Sequence, residues 1–277
     1  MVAVARAMSA FANGFRGTFC MSNFDRNAPV WGAGRAQQTS AVEMDQGLRS
    51  FMLGVYNNMT IGLAITGLFA IGISMLAIAG YSPTGKVNAL TPLGQALYLS
   101  PLKWVVMLAP LAFILFFSFK AESMSSSTAR AMFFAFAAVM GVSMSSIFVV
   151  FTGESIAKVF FITAASFAGL SLFGYTTRKS LSGMGSFLIM GLIGLVIASV
   201  VNLFLASSAL SFGISVIGVL VFAGLTAWDT QRLKEMYLYS NLDPESAAKL
   251  SVNGALSLYL NFINMFQMLL SLFGNRE

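Results

Sequence analysis

The sequence predicts an all-α integral membrane protein, built as a bundle of seven transmembrane helices with a cytoplasmic N-terminus. The chain has 277 residues, of which 57% are hydrophobic and only 9% charged, about a third of the usual charged share. Its mean hydropathy is +0.79. Seven uncharged stretches have the roughly 17 to 25 residues that a helix needs to cross a bilayer, and basic residues collect on one side of them.

Short connections separate the seven stretches, so consecutive helices should be antiparallel neighbours in one bundle, with no room for a second domain. We expect the transmembrane domain to span residues 51–274. The predicted helices cover Tyr56–Ala79, Leu102–Phe119, Ala131–Val150, Val159–Tyr175, Gly183–Ala206, Ser211–Trp228 and Leu250–Phe273.

The distribution of Lys and Arg predicts the orientation. With the N-terminus inside, twelve of the sixteen Lys and Arg residues fall on the cytoplasmic side, where membrane proteins carry their excess of basic residues. The net charge of +6 is therefore a topology signal, and we expect no nucleic-acid partner. The expected partner is the lipid bilayer of a bacterial inner membrane, with an organelle membrane as the alternative.

Residues 1–50 differ from the rest of the chain. They mix Gly, Ala, Ser, Gln and Arg without a period, which is typical of a mobile tail, here predicted to be cytoplasmic. Residues 1–24 carry Arg6 and Arg16 and no acid before Asp25, a pattern that weakly resembles a transit peptide. A start codon upstream of Met21 explains the pattern as well, so the true start, Met1 or Met21, stays open.

The composition removes the commonest catalytic residues. The chain has no histidine and a single cysteine, Cys20, so zinc sites and Ser-His or Cys-His nucleophile systems lack their usual residues. An intramembrane aspartyl protease needs two membrane acids, whereas the predicted helices offer one, Asp229. We expect no enzyme and no cofactor. Secondary transport is harder to dismiss, although neither internal repeats nor broken helices are clear in the sequence.

Small residues recur one turn apart in three of the predicted helices. Such rows let helix backbones approach closely, which is how helices associate in lipid. We therefore interpret them as packing surfaces. The rows are Gly62, Thr66, Ala70 and Ser74; Ala137, Gly141 and Ser145; and Gly194, Ala198 and Asn202.

The seventh predicted helix has one polar face along most of its length. At 100° per residue its polar side chains fall within an arc of about 120°. Carboxamides facing lipid would be costly, so this face must meet other helices or water. Hydrogen bonding between helices and a hydrophilic path through the bundle are equally good interpretations. The residues are Asn253, Ser257, Asn261, Asn264, Gln267 and Ser271.

A second polar face, on the sixth helix, ends at Asp229. Ser211, Ser215, Gly218 and Thr226 share this side of the helix. A carboxylate near a helix C-terminus opposes the helix dipole, so something must compensate. Arg232, three residues on, is the candidate salt-bridge partner. Alternatively, Asp229 binds a cation or a proton at the inner mouth of a polar path.

From about Asp45 to the C-terminus, the chain resembles the Bax inhibitor family, also called the transmembrane Bax inhibitor motif family. Four segments carry the resemblance: "SIFVVFTGESIAKVFFITAASFAGLSLFGYTTRKSL", "GLIGLVIASVVNLFL", "LTAWDTQRL" and "ALSLYLNFINMF". The resemblance implies a seven-helix fold and, for bacterial members, a pH-sensitive calcium leak. In that leak, two aspartates, one on the sixth helix and one on the seventh, share a proton and hold the pore closed, an arrangement called the latch. It also implies a role in stress survival and, in some members, modulation of an ATP-dependent membrane protease.

Asp229 matches the sixth-helix aspartate of that pair, but Asn261 stands where the family pattern has the second aspartate. Asn261 cannot titrate, yet its NH₂ group can donate a hydrogen bond to an ionised Asp229. The latch would then survive while its pH sensitivity weakens or moves to lower pH. The loss of a carboxylate should also weaken any calcium site, because calcium prefers several charged oxygens.

The resemblance thus implies a pH-influenced calcium leak with Asp229 and Asn261 as gate and pH sensor. Calcium or another cation would be the permeant ion. The predicted polar path comprises Asn253, Ser257, Asn264, Ser215 and Thr226. The alternative is a non-conducting membrane stress protein that modulates an ATP-dependent membrane protease, with the N-terminal tail as its handle.

Overall fold

The computed structural model describes residues 30–81, 87–120, 124–240 and 242–275. Helices dominate this part of the chain, and one short hairpin interrupts them. The elements are α1 Val30–Ala77, β1 Ile78–Tyr81, β2 Val87–Leu90, α2 Pro92–Tyr98, α3 Leu102–Lys120, α4 Ser126–Met144, α5 Ile147–Val150, α6 Gly153–Thr176, α7 Ser182–Leu205, α8 Ser208–Tyr239 and α9 Pro244–Phe273.

The predicted all-α membrane fold is confirmed. Six spans in the described residues are long and apolar enough to cross a bilayer, namely residues 46–77 of α1, α4 together with α5, α6, α7, α8 and α9. Helices α2 and α3 are bent by 63° relative to each other and form a further span if they are counted as one. The count of seven and the cytoplasmic N-terminus stay predictions.

Two helices extend well beyond their predicted ends. Helix α1 begins at Val30 rather than Tyr56, and α8 continues past Trp228 to Tyr239. The two extensions pack on each other, since the rings of Phe51 and Tyr237 stack with their centroids 4.7 Å apart. This contact explains why the charged residues after Trp228 do not end the helix. The predicted boundary at residue 50 therefore lies inside α1, whereas residues 1–29 lie outside the described residues.

Polar caps begin three of the helices earlier than the apolar stretches indicate. Ser125, Thr152 and Asp243 each accept a backbone N–H from the first turn of α4, α6 and α9, respectively. Such caps satisfy N–H groups that have no partner within the helix. Hydrogen bonds from Ser246 to the exposed Asp243 carboxylate also hold the pKa of Asp243 below its usual value.

Helix α9 is the centre of the bundle and packs against α8, α1, α6 and α4. Tyr259 of α9 is fully buried, edge-on to the rings of Phe133 and Phe136 at 5.5 and 5.9 Å. Its hydroxyl lies 2.7 Å from the Thr66 hydroxyl oxygen of α1. Thr66 also lies within hydrogen-bonding distance of the Ala137 carbonyl of α4, at 2.9 Å. One polar contact thus joins the three helices inside an apolar core.

Two of the three small-residue rows pack as predicted. A Cβ added to Gly141 of α4 would lie only 2.6 Å from the Thr66 carbonyl oxygen of α1. The third row differs, because a Cβ at Gly194 of α7 would meet nothing within 4 Å in the described structure. Asn202, at the end of that row, instead holds the turn into α8. Its amide donates to Ser211 and its carbonyl oxygen accepts the Ser207 N–H.

The hairpin β1–β2 and the short helix α2 were not predicted, whereas α5 lies within the predicted helix Ala131–Val150, which breaks after Met144. The expected first helix ran to Ala79, but Ile78–Tyr81 pairs antiparallel with Val87–Leu90. The Thr91 hydroxyl donates to the Leu76 carbonyl and so closes the hairpin onto the end of α1. Apolar strand residues next to an apolar helix carry no periodicity that separates the two.

The contact between α6 and α8 depends on the absence of a side chain at Gly174. A Cβ at this position would lie 2.2 Å from the Ala227 carbonyl oxygen, which is backbone and cannot move aside. We expect Gly174→Ala to lower the free energy of unfolding by about 1–3 kcal/mol, as overpacked substitutions do. Thermal unfolding of the detergent-solubilised protein measures this loss.

Gly169→Ala is the matched control on the same helix, because a Cβ there meets nothing within 4 Å. It should leave the protein as stable or stabilise it by up to about 1 kcal/mol, since Ala is the better helix former. Equal unfolding temperatures for the two variants would contradict the assigned contact.

Candidate functional site: the Asp229–Asn261 pair

The structure brings Asp229 and Asn261 together between α8 and α9. The Asn261 amide Nδ2 donates to the Asp229 carboxylate Oδ2 over 2.7 Å. Asn261 is 6% exposed and Asp229 is half-buried. The hydrogen bond lies well inside both helices, ten residues before the end of α8 and twelve before the end of α9. The bond therefore links the interior of α8 to the interior of α9.

Close helix packing on both sides holds this pair in place. Toward the start of α8, a Cβ at Gly218 would lie 2.9 Å from Cγ of Met268. Toward the end of α8, a Cβ at Gly254 of α9 would lie 2.6 Å from a methyl carbon of Leu233. The glycines let the antiparallel helices approach closely, so the short Asp and Asn side chains can meet between them.

Four consecutive residues of α8, Trp228–Gln231, each contact a different neighbour, and we call them the WDTQ segment. Asp229 accepts the hydrogen bond from Asn261 of α9. A Cβ at Gly185 of α7 would lie 2.3 Å from the Trp228 ring, so this ring lies directly against the α7 backbone. One turn of α8 therefore touches both flanking helices.

The other two side chains of the WDTQ segment bind α6 and the α6–α7 connection. The Thr230 hydroxyl lies 3.1 Å from that of Ser171 in α6, which in turn lies 2.6 Å from the Tyr56 hydroxyl of α1. Gln231 accepts the Leu181 N–H at 2.7 Å and donates to the Lys179 carbonyl at 2.9 Å. Sequence reasoning missed Thr230 and Gln231. The sequence feature that could have indicated them is that two polar residues directly follow Asp229 at the end of an apolar stretch.

Arg232, the candidate salt-bridge partner, lies over the Trp228 ring with its guanidinium carbon 5.3 Å from the ring centroid. Arg232 lies three residues after Asp229 on the same helix, so its charge is within one turn of the carboxylate. Because α8 continues for ten residues past Asp229, the carboxylate does not lie at the negative end of the helix dipole, and the predicted unfavourable interaction with that dipole is wrong. The ion pair itself stays a prediction.

The predicted polar path does not form one continuous face. Ser215 and Thr226 are 4% and 0% exposed, and each hydroxyl donates to a carbonyl four residues earlier in α8. Asn253 is half-buried and Ser257 is exposed. Asn264 is half-buried, and its amide donates to the Leu260 carbonyl of its own helix over 2.7 Å. These side chains point to different surroundings, so helical spacing alone overestimated their continuity.

Of the predicted path residues, Asn264 is the one that borders a cavity of about 800 Å³ in the described structure. The cavity lies between α2, α3, the ends of α4 and α5, and the second half of α9. Gln267 borders it as well. Asn264 is less than one helical turn from Asn261, so open space reaches α9 next to the Asp229–Asn261 pair.

Comparison with known proteins identifies the family. A family model described as "Inhibitor of apoptosis-promoting Bax1" matches residues 48–277, most of the chain. The chain belongs to the Bax inhibitor family.

Bacterial relatives of this family cover nearly the same length. An "Uncharacterized protein" of Caulobacter vibrioides is 45% identical over 250 residues, covering 85% of this chain and 93% of the relative. "Inner membrane protein YbhL" of Escherichia coli K12 is 40% identical over 239 residues, covering 86% and 97%. Together with the apolar helices, these relatives confirm an integral protein of the bacterial inner membrane.

The hydrogen bond between α8 and α9 predicts an energetic coupling between Asp229 and Asn261. In a double-mutant cycle with Asp229→Ala and Asn261→Ala, we expect a coupling of about 1–3 kcal/mol, because removing either side chain leaves the other without its partner. Unfolding of the detergent-solubilised variants provides the four free energies.

Asn264→Ala serves as the control, because that amide bonds its own helix. Its effect should add to that of Asp229→Ala within about 0.5 kcal/mol. Additivity at Asn261 as well would mean that the observed hydrogen bond contributes nothing to stability.

Proposed function

We propose that this protein is a calcium-type cation leak whose closed state is held by the Asp229–Asn261 hydrogen bond. The observation that carries the proposal is the 2.7 Å bond itself, which joins two helices of membrane-spanning length away from their ends. Ionisable side chains within membrane spans are costly and are typically functional. In this protein Asp229 would attract the cation, and Asn261 would hold α8 against α9 until the path opens.

A single carboxylate favours passage of the ion over storage. Calcium takes six to eight oxygen ligands and binds tightly where several of them are charged. In the described residues, no three Asp, Glu or Cys side chains come together. One carboxylate would therefore hold calcium weakly, as conduction requires, because a permeant ion must leave its site readily.

The amide at position 261 predicts a muted response to pH. In a pair of aspartates, one shared proton keeps the side chains in contact, and both carboxylates repel once that proton is lost. Asn261 neither gains nor loses a proton, so the hydrogen bond persists over a wide pH range. Opening would then depend mainly on the energy needed to separate α8 from α9.

The proposal predicts that Asn261→Asp creates a steep pH response. At pH values below the pKa at which the two carboxylates lose their shared proton, that proton holds the pair together and the pore closed. As pH rises, the second carboxylate ionises, the pair repels, and calcium flux increases. Calcium flux into proteoliposomes at several pH values, measured for the natural chain and this variant, tests the prediction. The natural chain should leak weakly with little change across the same pH range.

Two variants serve as controls. Asp229→Asn removes the carboxylate of the natural pair and should abolish any response of the calcium flux to pH. Asn253→Asp also adds an acid to α9, but two turns away from Asn261, and should leave the pH profile of the natural chain unchanged. If Asn261→Asp behaves like Asn253→Asp, the latch is wrong. If none of the proteins conducts at any pH, the leak is wrong, and modulation of a membrane protease becomes the function to test.

A further inference from the structure

The cavity beside α9 has the size and lining of a site for an apolar ligand. Its volume of about 800 Å³ lies within the range of about 300–1,000 Å³ that is common for small-molecule sites. Most of its lining is aliphatic or aromatic, and no Asp or Glu is among the described lining residues. Residues that form the inner wall include Val106, Pro110, Ile114, Phe136, Met140 and Leu260.

One long side of the cavity is open along α3. Trp104, Met107 and Leu111 line the cavity and yet are 51%, 52% and 56% exposed, so they form its lip. Val106 and Pro110, on the neighbouring face of the same helix, are half-buried and buried and form the wall. The lip runs over eight residues, from Trp104 to Leu111, about 10 Å of helix. Because α3 is an apolar helix of a membrane protein, this slot opens toward lipid.

A cation and an indole ring lie at one end of the slot. Lys103 and Trp104 begin α3, both line the cavity, and the Lys103 ammonium is 5.7 Å from the centroid of the Trp104 ring. Trp residues concentrate where membrane meets water, and basic residues there attract anionic head groups. The mouth therefore offers a positive charge at the depth of the lipid head groups, while the interior offers apolar surface.

We propose that this cavity binds an anionic phospholipid of the surrounding bilayer. One acyl chain enters the slot between α3 and α4 and packs against Met140 and Leu260. The phosphate group lies at Lys103. The polar groups of Asn264 and Gln267 border the far side of the cavity, where they limit how deeply the chain can enter. No covalent step is involved, so the ligand exchanges with bulk lipid.

A neighbouring pair of valines provides a matched test of chain entry. Val106 lines the cavity, whereas Val105 is 62% exposed and lies outside the lining. Native mass spectrometry of the full chain, equilibrated with phosphatidylglycerol in micelles, counts the retained lipid. Val106→Trp should obstruct the slot between α3 and α4 and reduce retention at least fivefold relative to Val105→Trp, which should match the natural chain. Equal retention in the two variants would overturn the site.

Lys103→Gln tests the head-group contact without changing the cavity wall. The natural chain should retain phosphatidylglycerol about fivefold better than phosphatidylcholine with the same acyl chains, the attraction expected of one basic residue near the membrane surface. Lys103→Gln should remove this preference, and Lys158→Gln, an exposed lysine outside the lining, should keep it. A preference that survives Lys103→Gln would contradict the assigned head-group position.

A cross-linking measurement on the unsubstituted chain guards against a variant that fails to fold. Phosphatidylglycerol with a diazirine at the end of one acyl chain is photolysed in proteoliposomes, and the labelled residues are located by mass spectrometry. We expect labels on the wall residues Met140 and Leu260. Labels confined to outward-facing helix surfaces, such as Phe187 of α7 at 72% exposure, would overturn the proposal.

Lipid binding itself does not depend on the proposed leak. One consequence does rest on the proposed leak. An acyl chain next to Asn264 would obstruct an ion path that leads from this cavity to the Asp229–Asn261 pair. Val106→Trp and phosphatidylglycerol should then both reduce calcium flux. If lipid is retained but the calcium flux does not change, the lipid-binding site is still supported and the ion path lies elsewhere.

Discussion

The hydrogen bond from Asn261 to Asp229 satisfies the most costly group in the described part of the bundle, a carboxylate within an apolar helix. A membrane offers no water to such a group, so the protein must supply its partner. The partner is an amide on the adjacent helix, 2.7 Å away. This requirement constrains the rest of the interface, because Gly218 and Gly254 must let α8 and α9 approach until two short side chains meet.

The WDTQ segment joins the Asp229–Asn261 hydrogen bond to contacts with the other neighbours of α8. Its four side chains reach α7, α9, α6 and the α6–α7 connection within a single turn of α8. A movement of α9 away from α8 must break the Asp229–Asn261 bond, whereas the contacts of Thr230 and Gln231 can persist. In the proposed leak, opening therefore requires α9 to move relative to α8 while Thr230 and Gln231 keep α8 bound to α6 and the α6–α7 connection.

Hydropathy was enough to predict the membrane fold, since apolar stretches of bilayer length leave few alternatives. Helical spacing also placed Asp229 and Asn261 on polar faces, and the family resemblance paired them. The same spacing could not separate Ser215 and Thr226, whose hydroxyls bond their own helix, from Asn264, which borders a cavity. The cavity, the closure of the hairpin onto α1 and the stacking of Phe51 on Tyr237 depend on contacts between different segments, which local sequence patterns do not encode.

In the proposed leak, separation of α8 and α9 at Asp229 and Asn261 opens a path for cations. The most direct test keeps this pair, replaces Leu233 of α8 and Gly254 of α9 with cysteine in a Cys20→Ser chain, and bridges the cysteines with a short reversible cross-linker in proteoliposomes. The unbridged protein should leak calcium at least as fast as the natural chain. Bridging should stop the leak, and reduction should restore it. Calcium flux that is the same before and after bridging would contradict a gate at this position.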